Sequence, residues 1–259
     1  MAPFKIATWN VNSLRVRLPQ VLDWLNEARP DVLALQETKL QDIDFPESAF
    51  TDIGYHVVYS GQRTYNGVAI ITRGAIAEER ITDLPGLEDI QRRILAVTVG
   101  DVRVINLYIP NGESINSDKF KYKLNWLRYV EQFLKQELAN HQRVIVVGDF
   151  NIAPDHIDVH NPQEWEGRIL FSEPERAAFA AMLKLGFVDC FRNLNPEKQA
   201  YTWWDYRMNS YKRNIGVRID HILANSTFAA QCELCHIDQT PRGHERPSDH
   251  APVMAAFAI

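Results

Sequence analysis

Five short polar signatures interrupt the apolar runs of this chain: Trp9-Asn10, Gln36-Glu37, Gly148-Asp149-Phe150-Asn151, Arg218-Ile219-Asp220 and Ser248-Asp249-His250. Each stands beside a β-branched or aliphatic stretch, so each acid or amide would be carried at the end of a strand. Hard oxygen donors delivered singly, rather than as a cage, suit Mg²⁺, which is held by one or two carboxylates and completed by water and substrate phosphate. The chemistry indicated is attack on a phosphate ester.

Taken alone, an Asp in a Gly-Asp turn is an ordinary turn residue, and an Asn after a strand is an ordinary helix cap. The tract 144–151 says more. Apolar strand residues run straight into Asp149, and Asn151, two positions on, points the same way if the chain stays extended. His250 has an acid beside it, and a remote acid such as Asp220 would orient its imidazole.

The elements that must position these groups are mostly strands. Alternating or continuous apolar runs predict strands over 4–9, 32–35, 55–59, 67–72, 94–99, 102–108, 144–147, 217–224 and 253–259. Val99-Gly100-Asp101-Val102 predicts the tight turn of an antiparallel hairpin. Apolar residues at helical spacing predict amphipathic helices over 14–28 and 118–138. Ser172 and Glu175 form a capping box that starts a third helix near 173, which stops at Gly186. Many strands, few helices and tight turns imply two mostly antiparallel sheets packed face to face with helices on the outside, an α+β sandwich. With 259 residues, 46% of them hydrophobic, and no linker, internal repeat or low-complexity tract, the chain reads as one domain over 1–259.

No stretch reaches the roughly 18 unbroken apolar residues of a membrane span, and residues 1–10 lack the parts of a secretion signal, which predicts a soluble, cytoplasmic protein. Three cysteines imply no disulfide framework. Cys232-Glu233-Leu234-Cys235-His236 matches the pattern of covalent haem attachment and, with His244, offers a zinc set. The missing export route and the β-rich context weigh against both. A net charge of -5 would repel a polyanion, so nucleic-acid binding would need a local basic face. Residues 203–218 offer one, with Arg207, Lys212, Arg213 and Arg218 interleaved among Trp203, Trp204, Tyr206 and Tyr211. That pattern suits phosphate contacts and base stacking; a solvated loop anchored by its aromatics is the plainer alternative.

In order and spacing, TWN (8–10), LQETK (35–39), LYIPNG (107–112), VVGDFN (146–151), TWWDYR (202–207), RIDHIL (218–223) and SDHAPV (248–253) resemble the exonuclease III family of abasic-site endonucleases, part of the endonuclease/exonuclease/phosphatase superfamily. GDFN and SDH are shared across that superfamily, whereas LYIPNG with WWDYR and RIDHIL is specific to its DNA-repair branch. The resemblance spans residues 4–258. It implies a four-layered α/β sandwich and a monomer acting on double-stranded DNA. The implied reaction is Mg²⁺-dependent cleavage of the phosphodiester 5′ to an abasic site, with Mn²⁺ able to substitute and one or two ions acting. Also implied are 3′-to-5′ exonuclease activity and removal of phosphate or other blocks from 3′ ends.

The same resemblance implies roles for individual residues. Glu37 would be the principal metal ligand, with Asn10 and Asp249 beside it, while Asp149, Asn151 and His250 would flank the scissile phosphate or a second ion. His250, oriented by Asp220, would contact the phosphate or activate water, with Asp149 as the competing base. Asn151 would donate to developing negative charge, and Tyr108 would hydrogen bond near the leaving oxygen. Trp203 would face a flipped-out abasic sugar, and Gly167, in Glu164-Trp165-Glu166-Gly167-Arg168, would leave room for it. From residue chemistry rather than from the resemblance, Arg15, Lys39, Asn111, Arg207 and Arg213 are the candidates for DNA backbone contacts, since groups that neutralise phosphates give affinity independent of sequence. Two rival readings are a superfamily phosphodiesterase acting on phospholipid or inositol phosphates, which would not need the basic-aromatic segment, and an inactive DNA-binding relative, which would not need the acids.

Overall fold

The computed structural model describes residues 3–259. Its strands are β1 (Phe4–Asn10), β2 (Val32–Gln36), β3 (His56–Ser60), β4 (Val68–Thr72), β5 (Ile76–Ile81), β6 (Ile94–Val99), β7 (Val102–Tyr108), β8 (Arg143–Asp149), β9 (Phe187–Asp189), β10 (Asp220–Asn225), β11 (Cys232–Ile237) and β12 (Val253–Phe257). Its α-helices are α1 (Leu14–Ala28), α2 (Glu47–Thr51), α3 (Asp118–Asn140), α4 (Pro162–Trp165), α5 (Glu173–Lys184), α6 (Cys190–Leu194) and α7 (Ser226–Ala229).

Two six-stranded sheets form, in the orders β11-β12-β1-β2-β4-β3 and β5-β6-β7-β8-β10-β9. Each has a single parallel pair, β1–β2 in the first and β7–β8 in the second, and the other neighbours are antiparallel. Parallel neighbours need a long crossover, and α1 and α3 supply it. The two sheets therefore share one strand order and pairing sense, β11-β12-β1-β2-β4-β3 matching β5-β6-β7-β8-β10-β9, but β5, β6 and β7 follow one another along the chain, whereas in the first sheet the last strand, β12, pairs with the first, β1. No repeat is visible in the sequence; it exists in the topology.

The faces between the sheets close on Ile6, Val32, Ile70, Val104, Ile145, Val147 and Ile222, with Cys190, Cys232 and Cys235 at one side. The outer face of the first sheet packs on α1 through Trp9, Leu14, Val21, Trp24 and Leu25. The outer face of the second packs on α3 and α5 through Trp126, Val130, Phe133, Phe179 and Met182. Helix, sheet, sheet and helix make the four layers. The predicted capping box is present at the start of α5, and the 99–102 turn joins β6 to β7 as a hairpin.

Three strands escape the apolar pattern, β5, β9 and β11, and all three lie at sheet edges. Edge strands need not be apolar and often carry charge to block further pairing, as Ile76–Ile81 does with Glu79 and Arg80. The strand expected over 217–224 begins only at Asp220, because Val217 makes isolated bridges to Val159 and Trp203 instead. In β11 the register shifts between Cys232 and Leu234. That bulge lets Cys232 and Cys235, three residues apart, both enter the core, which accounts for the C-x-x-C spacing through packing.

Candidate active site

The polar signatures gather at one end of the sandwich. Asn10 and Glu37 close the parallel pair of one sheet, and Tyr108 and Asp149 close that of the other; strand carboxyl ends are where such sheets present ligand sites. Because β10 runs antiparallel to β8, its first residue, Asp220, sits directly across from Asp149. His250 arrives on the segment before β12 and pairs by a backbone bridge with Trp203.

Local backbone geometry aims these groups. Gly148 is obligatory: at φ +146° it lets β8 pass so close to β7 that an added Cβ would sit 1.9 Å from the Leu107 carbonyl oxygen. Asn151 (φ 49°), Glu37 (φ 52°) and Lys39 (φ 55°) are held in the left-handed region, a cost that clusters at functional sites. The carbonyls of Glu37 and Thr38 accept from the amides of Ser13 and Leu14 at 2.8 and 3.0 Å. The loop that carries Glu37 thus satisfies the first amides of α1 in place of a side-chain cap.

A continuous web joins the side chains. Asn10 Nδ2 donates to Glu37 Oε1 and to Asp149 Oδ2, each at 2.9 Å. Asn151 donates its backbone amide to Asp149 Oδ1 at 2.9 Å and its side-chain amide to the Ile109 carbonyl at 3.0 Å. His250 Nδ1 lies 2.8 Å from Asp220 Oδ2, and Nε2 lies 3.8 Å from Asp149 Oδ2. Asp249 stands on the other flank, accepting from Asn12 Nδ2 and Trp203 Nε1, each at 3.0 Å. Asn12 in turn accepts from Lys39, which pairs with Glu37 at 3.0 Å. Asn111 Nδ2 donates to Asn151 Oδ1 at 3.0 Å.

Asn12 is the member of this web that the sequence signatures did not single out. The Asn10-x-Asn12 spacing was its only trace. Two cations hold the 245–250 segment in place and were equally silent. Arg17 donates to the Asn12 and Pro247 carbonyls. Arg242 donates to the Ser248 carbonyl with its guanidinium over Tyr211 at 4.7 Å, Trp204 at 5.8 Å and Tyr206 at 5.9 Å.

The charges divide the site into two zones. Burial pushes the Asp149 carboxyl up, helped by Asp220 and Glu37, against the opposing pull of His250 and Asn10. Burial disfavours the His250 imidazolium, yet Asp220 and Asp149 outweigh it and raise this group, so the ring is a donor. Burial raises the Glu37 carboxyl too, but Lys39, Asn10 and His250 bring it below its ordinary value. Burial, with Glu37 and Asp149 nearby, lifts the Tyr108 phenol well above its usual range, so it stays protonated.

One ligand atom each from Asp149, Asp220 and His250 lie within 4.8 Å of one another. Asp220 Oδ1 is buried without a hydrogen-bond partner among the described residues. Carboxylate oxygens with an unmet valence beside further acids fit a divalent cation.

Two hollows flank this cluster. One, of about 510 Å³, is lined by Arg15, Lys39 and Arg63; the other, of about 580 Å³, by Tyr65, Arg93, Tyr108, Asn111 and Lys119. A larger one of about 730 Å³ lies at the far end of β8, beside Arg143, away from the carboxylates. Trp203 is half-buried, its ring packed with Leu170, Phe171 and Val217 and its indole nitrogen on Asp249. Gly167 is exposed after α4, and Trp165 and Ile169 tie its loop to the same cluster as Trp203. Arg213 is exposed, and Arg207 is exposed but chelated by its neighbour Asp205.

Stacked sheets of matching strand order with acids, amides and a carboxylate-held histidine at their shared end define a hydrolase of phosphate esters of the nuclease and phosphatase type. The model of the Endonuclease/Exonuclease/phosphatase family matches residues 7–250. The chain belongs to that family and, within it, to the exodeoxyribonuclease III group of nucleases. It is 35% identical to exodeoxyribonuclease III of Haemophilus influenzae over 98% of this chain and 99% of that one. Among solved structures, a singly substituted form of the 3′ phosphatase NExo from Neisseria, bound to product DNA hairpin, superimposes with a TM-score of 0.97 at 47% identity, covering 99% of this chain and 100% of that one. An AP endonuclease from Archaeoglobus fulgidus gives 0.95 at 40% identity over 99% and 100%. No helix among the described residues is long and apolar enough to cross a membrane.

Proposed function

We propose that this chain is a monomeric, cytoplasmic, Mg²⁺-dependent DNA-repair nuclease, built as one domain. It would cut double-stranded DNA 5′ to abasic sites and clear 3′ ends by exonuclease and phosphatase action. The observation that carries the reading is the linked set Glu37–Asn10–Asp149–Asn151 with Asp220–His250, drawn from both sheets to one point.

Glu37 would hold the cation: its side chain is 19% exposed, against 2% for Asp149 and 0% for Asp220, and Mg²⁺ keeps part of its water. Asn10, bonded to Glu37, and Asp249, linked to it through Asn12 and Lys39, would complete the ligand set, with Mn²⁺ as an alternative ion. When bound, the ion supplies positive charge to the nonbridging and leaving oxygens. His250, with a carboxylate facing each ring nitrogen, remains a donor and offers its proton to a phosphate oxygen. Asp149 is then the better-placed base for the attacking water, held in orientation by Asn10 and the Asn151 amide. Asn151 would donate to the phosphoryl oxygens on which charge builds, by turning to them a side-chain N–H that the Ile109 carbonyl and Asp149 Oδ2 hold in the free protein, and the protonated Tyr108 phenol would donate near the leaving oxygen.

Trp203 and Gly167 would border the pocket for an abasic sugar, and Arg15, Lys39, Asn111, Arg207 and Arg213 would follow the backbone. Glu37→Ala and Asp149→Ala, assayed on an abasic duplex with Mg²⁺, should each lose at least about 100-fold in rate. Near-native turnover in either would refute the assignment.

A further inference from the structure

Lys123 lies on α3, and its pattern in the sequence is that of one more cation on an amphipathic helix. Its side chain is instead fully buried, at 0% exposure. The ammonium has three N–H donors and meets three acceptors: the Asn151 carbonyl at 2.7 Å, the Asn111 carbonyl at 3.1 Å and a Glu175 carboxylate oxygen. Glu175 is saturated as well, accepting from the Leu170 amide at 3.0 Å and from the Ser172 amide and hydroxyl at 3.0 and 2.5 Å. A buried ion pair is tolerated only when its remaining valences are met in this way.

We propose that Lys123 is a positioning residue for phosphate hydrolysis. Through the carbonyls of Asn111 and Asn151 it locks the segment after Tyr108 against the turn that carries Asp149 and Asn151. The inference rests on the reading of the site given above. Asn151 is held in a left-handed conformation and accepts from Asn111, so the two segments have one mutual arrangement while the ammonium joins them. Methionine would fill the same volume and leave both carbonyls unjoined. A misplacement of about 1 Å in such a site lowers turnover by about 100-fold.

Lys123→Met alone strands a buried carboxylate, so the decisive variant is Lys123→Met/Glu175→Gln, which leaves no lone charge. Glu175→Gln alone is the control, since the lysine keeps both carbonyl bonds there. On a duplex bearing a 3′-phosphate, with Mg²⁺, the double variant should lose about tenfold to 100-fold in kcat with KM within about threefold of native. Glu175→Gln should lower Tm while holding kcat within about threefold of native. Amide hydrogen exchange around Asn111 and Asn151 should rise in the double variant and stay native in Glu175→Gln. That second readout needs no substrate, so it tests Lys123 even if the native protein fails on DNA. A folded double variant with native kcat and native exchange would overturn the proposal. So would equal loss of turnover in Glu175→Gln, which would leave Lys123 as an anchor for α5 only.

Discussion

Asp220 and Asp149 face each other directly across the β8–β10 pair, and His250 reaches both, at 2.8 Å and 3.8 Å. The Asp220 side chain is fully buried and has one oxygen without a partner among the described residues, so the carboxylate is held in place for the imidazole.

Asp220→Asn keeps the shape and removes that charge. Its kcat on an abasic duplex should fall by about two to four orders of magnitude, because the amide no longer stabilises a protonated, correctly turned His250. A rate within about tenfold of native would show that Asp220 is structural.

Gly167 separates backbone strain from groove filling. At φ +72° any side chain is strained there, yet an added Cβ has no heavy atom within 4 Å. Gly167→Ala and Gly167→His share the strain, and only His projects far enough to obstruct a displaced sugar. Incision at abasic sites should fall at least about tenfold in the His variant relative to Ala, with 3′-end trimming little changed. Equal incision by the two would exclude Gly167 from substrate selection.

Backbone contacts should separate by their local pairing. Arg15 lines a hollow and Arg213 is exposed, so each alanine variant should flatten the dependence of log affinity on log salt by about one. Arg207 is already neutralised by Asp205, with bonds of 2.7 to 3.1 Å, and its removal should change the slope less. Binding titrations on one duplex across a salt series decide the order, and an Arg207 effect as large as that of Arg15 would contradict it.

Acid stability should run through His221. Its Nε2 lies 2.8 Å from the Ile152 carbonyl and its Nδ1 3.0 Å from Arg218, whose guanidinium pairs with Asp158 and Asp189. Burial first, and Arg218 second, depress the imidazole to about 4 from the ordinary 6.5. The unfolded chain therefore binds the extra proton first. Stability from this group is complete above pH 6.5 and is lost as pH falls towards 4, by about 3 kcal/mol over the interval. Thermal melts between about pH 7.5 and about pH 4.5 should show a slope that His221→Asn reduces. An unchanged slope in the variant would assign the acid sensitivity elsewhere.

Central strands and long helices were legible because burial on one or both faces imposes an apolar period: β6, β7 and α1 end where their patterns end. The edge strands were not, since Ile76–Ile81 carries charge on an edge that pairs on one side only, and in Cys232–Ile237 a bulge breaks the period of two and puts Cys232 and Cys235 into the core three residues apart. The site was legible where an acid closes an apolar run, as at Asp149. Asn12, Arg17, Arg242 and Lys123 were opaque for the opposite reason. Their work is done by carbonyls and rings that come near only after folding, so nothing adjacent in the chain announces them.

Gln36 and Asn106 bond at 2.8 Å across the interior, one from each sheet, next to Glu37 and close below Tyr108. Neither sheet owns a complete set of reactive groups, so turnover exists only while the two layers stay in register. Loss of activity on warming should consequently precede loss of secondary structure, making the enzyme a gauge of how tightly its own halves are shut.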